Sequence, residues 1–213
     1  MNMMTRRRML MIRSSTSGRL PAEYQEVQWL RGTGTQYCET AFSPYYTGDS
    51  FISMKGDITI LNASSSSLRI CAYESDQYGL QVSGRSVTVG IQPNHGYGTS
   101  ISGSAPIDVH YEINKTNVII NNIVQSISFA QYSIQNKILI GAWQPSSIIV
   151  DNNDVLIKTI YLYDDETLIS EIIPCTRKSD GKAGFYQTNV PTGYDNFIYN
   201  LGSGSDWLVG PNV

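Results

Sequence analysis

Two carboxylates spaced for acid–base work, Glu74-x-Asp76, stand in "CAYESDQYG". Alternate residues of a strand share one face, which brings such a pair to the roughly 5 Å separation that a retaining glycosidase uses. The pair lacks the third acid of an E-x-D-x-x-E or E-x-D-x-E motif and lies beside a turn, so both residues read as turn formers. His95 sits in a glycine-rich stretch and His110 on a strand, where a satisfied side chain is the ordinary finding. No Ser-His-Asp order with a nucleophile elbow is present. "VDNNDV" (150–155) places Asp151 and Asp154 in an oxygen-rich turn, but without the spacing and glycine of a calcium loop. No catalytic set, metal or cofactor is assigned.

Binding chemistry has better material. Fourteen Tyr stand against five Phe, a skew toward rings with a polar tip. Tyr45, Tyr46, Tyr73, Tyr78, Tyr97 and Trp143 fall at or near expected loop ends, where an exposed ring can stack on a sugar. The competing role for the same rings is to cover sheet edges and protein interfaces. The cysteines Cys38, Cys71 and Cys175 are odd in number and widely spaced, with no C-x-x-C. They read as buried free thiols, which favours assembly in a reducing cytoplasm.

Charge divides the chain. Residues 1–20 carry five arginines (Arg6, Arg7, Arg8, Arg13, Arg19) and no acid, leaving 10 basic and 18 acidic residues for the body. Residues 1–20 therefore read as a basic arm and 21–213 as one domain. The arm's "MLMI" run is too short for a signal-peptide core, and no window approaches the ~20 apolar residues of a membrane span. Nucleic-acid binding has weak support, since one basic cluster lacks interleaved aromatics. A solvated tail is one reading; a peg whose arginines dock into an acidic groove on a partner is preferred.

The elements that must position these residues are strands. Period-two alternation marks 50–60, 67–73, 77–83 and 155–163, and helical periodicity is missing. In 155–163, Leu156, Lys158, Ile160 and Leu162 are expected on one face, with Val155, Ile157, Thr159, Tyr161 and Tyr163 on the other. Turns are expected at 114–117, 120–122 and 163–168, and loops at 62–67 and 93–106. A strand 167–173 is expected to end at Pro174, followed by an exposed turn bent at Asp180–Gly181. The fold class is all-β and antiparallel, a sandwich before a barrel.

Three stretches carry a resemblance. "VHYEINKTNVIINNIVQSISFAQYSIQNKILIGAWQ" (109–144) resembles the core of concanavalin A-like (laminin-G-like) jelly rolls, with Asn121–Asn122 where Asp-Gly is usual. "LPAEYQEVQWLRGTGTQYCETAFSP" (20–44) and "IPCTRKSDGKAGFYQTNVPTGYDNFIYNLGSGSDWLVGPNV" (173–213) are similar to the opening and closing of a jelly-roll domain of phages and prophages of gut bacteria. Arg31–Gly32, Cys38 and Tyr186–Gln187 depart from that pattern. The resemblance implies an antiparallel two-sheet jelly roll in a virion, synthesised in the host cytoplasm. On the head, collar or tail it would be a non-enzymatic structural or accessory protein. Its partners would be other virion proteins reached through the arm, a host glycan, and further copies of itself. A lectin-like carbohydrate-binding module and a degenerate glycoside hydrolase are the alternatives.

Overall fold

The computed structural model describes residues 19–47, 49–73, 77–92, 95–127, 131–144 and 147–213, and these contain strands and turns but no helix. The long strand Asn152–Asp164 is the hub. Along one edge it pairs antiparallel with Ile52–Ile60, from Val155 opposite Ile60 to Asp164 opposite Ile52. Beyond Ile52–Ile60 lie Ile107–Ile113, Asn117–Ile120 and Ile123–Ser126, each antiparallel to the last. Along its other edge the hub pairs first with Leu30–Thr33 and then with Thr167–Arg177. Thr167–Arg177 in turn carries Ala183–Gln187, which carries Phe197–Tyr199.

Asn152 and Asn153 also pair with Leu68 and Ser67, and so join the hub to a meander. The meander runs through Ser67–Tyr73, Gln77–Ser83, Ser86–Gln92 and His95–Ser100. Its strand Ser86–Gln92 comes back against Ile107–Ile113 and Asn117–Ile120. The result is one antiparallel sheet that nearly closes into a barrel. Among the described residues only the Ala142–Ile70 bridge is parallel, and only Tyr45–Tyr46 with Tyr132–Ser133 forms a separate pair. The hydrogen bonding is one network, and a division into two sheets is not seen in it.

Several sequence expectations hold closely. Strands fall at Ser67–Tyr73 and Gln77–Ser83. Asn121 adopts a φ of 55° in the 120–123 turn, and Gly181 one of 73° in the exposed basic turn. Three details differ. The pairing of 152–164 slips between Ile157 and Ile160, so Val155, Ile157, Ile160 and Leu162 all face the core. A bulge of this kind re-aims the residues after it.

Pro174 does not end its strand, which continues to Arg177. The proline sits where Thr167–Arg177 passes from the hub to Tyr24–Glu26, and its carbonyl accepts from Val27 there. A missing N–H is tolerated at such a hand-over. Finally, 95–100 is a strand rather than part of a loop. Gly98 lies so close over Thr88 that a Cβ would come within 2.9 Å of its hydroxyl, an approach that glycine permits.

The core is apolar, with Leu30, Met54, Ile58, Leu80, Val109, Ile157 and Phe185 fully enclosed. A polar knot is set into it. Gln36 and Asn152 are 0% and 2% exposed. Gln36 Oε1 accepts from the Thr33 amide (2.8 Å), and its Nε2 donates to Ser205 O (2.9 Å). Asn152 accepts from the Gly34 amide (3.1 Å) and donates to Gln36 O. Gly32 and Gly141 leave the room: a Cβ on either would fall within 2.4 Å of the Asn152 amide group. Thus "GTGTQ", "LIGAW", "DNND" and "GSGSD" meet at one place.

Leaving buried donors and acceptors unpaired costs about 1–3 kcal/mol each. Gln36→Leu is therefore expected to lower the unfolding free energy in urea by roughly 2–5 kcal/mol. Tyr111, by contrast, buries a hydroxyl with no partner among the described residues. Tyr111→Phe is expected to leave stability unchanged or raise it by about 1 kcal/mol in the same measurement.

Candidate functional site

The residues singled out in the sequence do not come together. Arg6, Arg7, Arg8, Arg13, Glu74 and Asp76 lie outside the described residues, as do the side chains of Tyr73, His95 and Trp143. Arg19, counted with the arm, bonds instead to the body, donating to Glu26, Glu171 and Thr159. Tyr78 is fully buried and donates to Ile52 O (2.7 Å), which corrects its reading as a sugar-stacking ring. Tyr97 and Tyr46 are half-buried against the core, and Tyr46 meets Phe51 edge-on at 5.6 Å. Tyr45 donates its hydroxyl to Asp164 (3.0 Å).

Asp151 and Asp154 each face an arginine, Arg69 at 2.9 Å and Arg31 at 2.5 Å. No group of three or more His, Cys, Asp or Glu among the described residues is arranged to hold a metal. Cys38, Cys71 and Cys175 are buried free thiols. Burial raises all three, Cys71 and Cys175 to about 12.

One alignment escaped the sequence reading. Asp108, His110 and Glu112 alternate on the outward face of Ile107–Ile113, opposite Thr59, Asp57 and Lys55. Thr59 and Lys158 donate to Asp108 at 2.6 and 3.0 Å, and hold its carboxyl below the usual carboxylate range. His110 Nδ1 lies 3.0 Å from Asp57. The period-two pattern contained this row, but the partners that engage it stand fifty residues away in the chain.

Among the recesses on the surface of the described residues, two are built from residues able to bind a ligand. The larger, about 500 Å³, is lined by Ser53, Lys55, Glu112, Lys115, Tyr163, Asp165 and Glu166. Lys55 rests over the Tyr163 ring at 4.5 Å, and Lys115 over Tyr46 at 5.5 Å. Its surface is therefore charged and of mixed sign.

The smaller recess, about 190 Å³, is built differently. The strand Phe197–Tyr199 pairs on Ala183–Gln187, and Gly184 stands opposite Tyr199. With no side chain on Gly184, the Phe197 ring lies over its backbone. Phe197 continues a row of rings: Tyr24 lies 5.0 Å from Tyr186 and 5.3 Å from Phe197, which stacks on Tyr199 at 6.3 Å. Arg177 caps Phe197 at 5.0 Å while held by Asp180.

At the end of this row the recess is rimmed by Tyr194 (46% exposed), Tyr199 (41%) and Leu201 (51%). Exposed carboxylates from Glu39 and Asp195 line it as well. Lys137 and Lys182 lie over the two tyrosines at 4.8 and 4.7 Å. Flat rings beside hydrogen-bond acceptors and donors form a surface suited to a polyol with an apolar face. Tyr194 and Tyr199 were absent from the sequence candidates, because 173–213 was read only for its resemblance to the closing of a jelly-roll domain.

Compared with protein-family models and with curated proteins, the chain matches none. A thiol reagent at pH 8 is expected to label none of the three cysteines in the native chain and all three in denaturant. Rapid labelling of the native protein would contradict the inert, buried assignment.

Proposed function

We propose that this chain is a non-enzymatic structural or accessory component of a phage particle, attached through its basic arm and contacting glycans with its folded body. The finer fold within the near-closed sheet is a concanavalin A-like jelly roll. Its two layers, 107–126 with 52–60 and the meander 67–100, are joined through the hub strand. The resemblance of residues 20–44, 109–144 and 173–213 supports the phage context. The observation that carries the binding reading is the small recess, where Tyr194, Tyr199 and Leu201 stand exposed beside Glu39 and Asp195. Part-exposed rings and an exposed leucine at a concave site mark a surface that gains by being covered. The arm, with Arg6, Arg7, Arg8 and Arg13 and no acid, supplies charge for docking into a partner's acidic groove.

Two experiments separate these roles. On an array of bacterial surface glycans the whole chain is expected to bind, and Tyr194→Ala with Tyr199→Ala to weaken binding at least tenfold. Lys55→Ala, at the larger recess, is expected to change it little. Binding that survives the double substitution and is lost with Lys55→Ala would move the site to the larger recess. For attachment, deleting 1–18 is expected to leave the melting temperature unchanged and abolish incorporation into particles. Incorporation at wild-type occupancy would place the anchor on the folded body.

A further inference from the structure

The strand Ile123–Ser126 is an open edge. It pairs only with Asn117–Ile120 among the described residues, and all four of its residues are exposed. Native sheets ordinarily protect such an edge with charge, proline or a bulge. This one has none of these: between Lys115 and Lys137 no residue is charged, and none is proline. Its regular register to the neighbouring strand excludes a bulge. Ile123 and Val124, 50% and 58% exposed, are among the most exposed large apolar residues described.

We infer that this edge pairs with the same edge of a second copy, extending the sheet across a two-fold axis. The backbone directions select the register. The Ile127 amide donates inward to Thr116 O, and Ile123 closes the two-residue turn against Ile120. Alternation then turns the amides and carbonyls of Val124 and Ser126 outward. An axis through Gln125, perpendicular to the sheet, sets Val124 opposite Ser126 of the second copy, and pairs the outward amides and carbonyls of both residues, the Ser126 carbonyl also accepting from its own chain's Gln125 Nε2 (3.1 Å). It also keeps each sheet face on its own side, because opposed residues share an orientation. Ile123 meets Ile127 of the second copy on the core side, and the rim of apolar core at this edge is covered. An uncharged edge meets itself without repulsion, whereas a charged partner strand would find no complement there.

Four residues of edge bury less than the ~1,000 Å² of a standing complex, so the pairing is concentration-dependent. The whole chain in sedimentation equilibrium is expected to pass from monomer toward dimer as concentration rises, and Val124→Lys to stay monomeric with an unchanged melting temperature. Register is read by cross-linking. Across the axis the two Gln125 Cα atoms lie about 4.5 Å apart as a non-hydrogen-bonded pair, within reach of a disulfide. The two Asn122 residues are then roughly 20 Å apart. Because the native thiols are buried, Gln125→Cys is expected to form an intermolecular disulfide under mild oxidation at least tenfold faster than Asn122→Cys. A wild-type chain that stays monomeric at every concentration, a Val124→Lys chain that still dimerises, or equal cross-linking at 122 and 125 would each overturn the inference.

Discussion

The side-chain amides of Gln36 and Asn152 hold together four stretches of backbone that are far apart in sequence. A strand network leaves unpaired groups wherever strands change partners, and a buried unpaired amide is costly. Here the change of partners is concentrated at the start of the hub strand, which pairs with Leu30–Thr33, Ile52–Ile60 and Ser67–Tyr73 within a few residues. The two amides satisfy the Thr33 and Gly34 amides and reach the carbonyls of Gln36 and Ser205. The sheet stays continuous through the junction because this knot is complete, and it fits because Gly32 and Gly141 have no side chains.

The same need for continuity shapes the surface. One edge of the hub serves two neighbours in turn, Leu30–Thr33 up to Ile157 and Thr167–Arg177 from Ile160, where the pairing of its other edge with Ile52–Ile60 also slips. Pro174 marks the next exchange, from the hub to Tyr24–Glu26. Each hand-over carries the sheet further from the hub and ends at Phe197–Tyr199, where the buried Phe197 ring and the exposed Tyr199 ring continue the row begun by Tyr24 and Tyr186. The small recess thus sits at one extremity of the network and the uncharged Ile123–Ser126 edge at another. Sites at the margins are left free because the interior pairings are used up.

Much of this architecture was legible from the sequence. Alternation located Ser67–Tyr73 and Gln77–Ser83, and Asn121 and Gly181 announced their turns. Local pattern says nothing of where a strand exchanges partners, so the bulge at 157–160 and the passage through Pro174 were not visible. The site was less legible. Tyr78 looked like a loop-end ring, but its alternation within Gln77–Ser83 carries it into the core. Tyr194 and Tyr199 lay within the stretch that resembles a jelly-roll closing; Gly184, fifteen residues before Tyr199, is what lets their neighbour Phe197 lie flat. The row Asp108, His110 and Glu112 was not singled out in the sequence, and only the pairing with 52–60 shows that Asp108 and His110 are met by Thr59 and Asp57.

Whether the small recess takes a sugar is tested most directly by nuclear magnetic resonance. The isotopically labelled chain is titrated with polysaccharide released from bacterial surfaces, and the backbone amides that move are mapped. Shifts clustered at 39–41 and 194–201 are expected. Shifts clustered around Lys55, Glu112 and Glu166, or none at saturating polysaccharide, would contradict it.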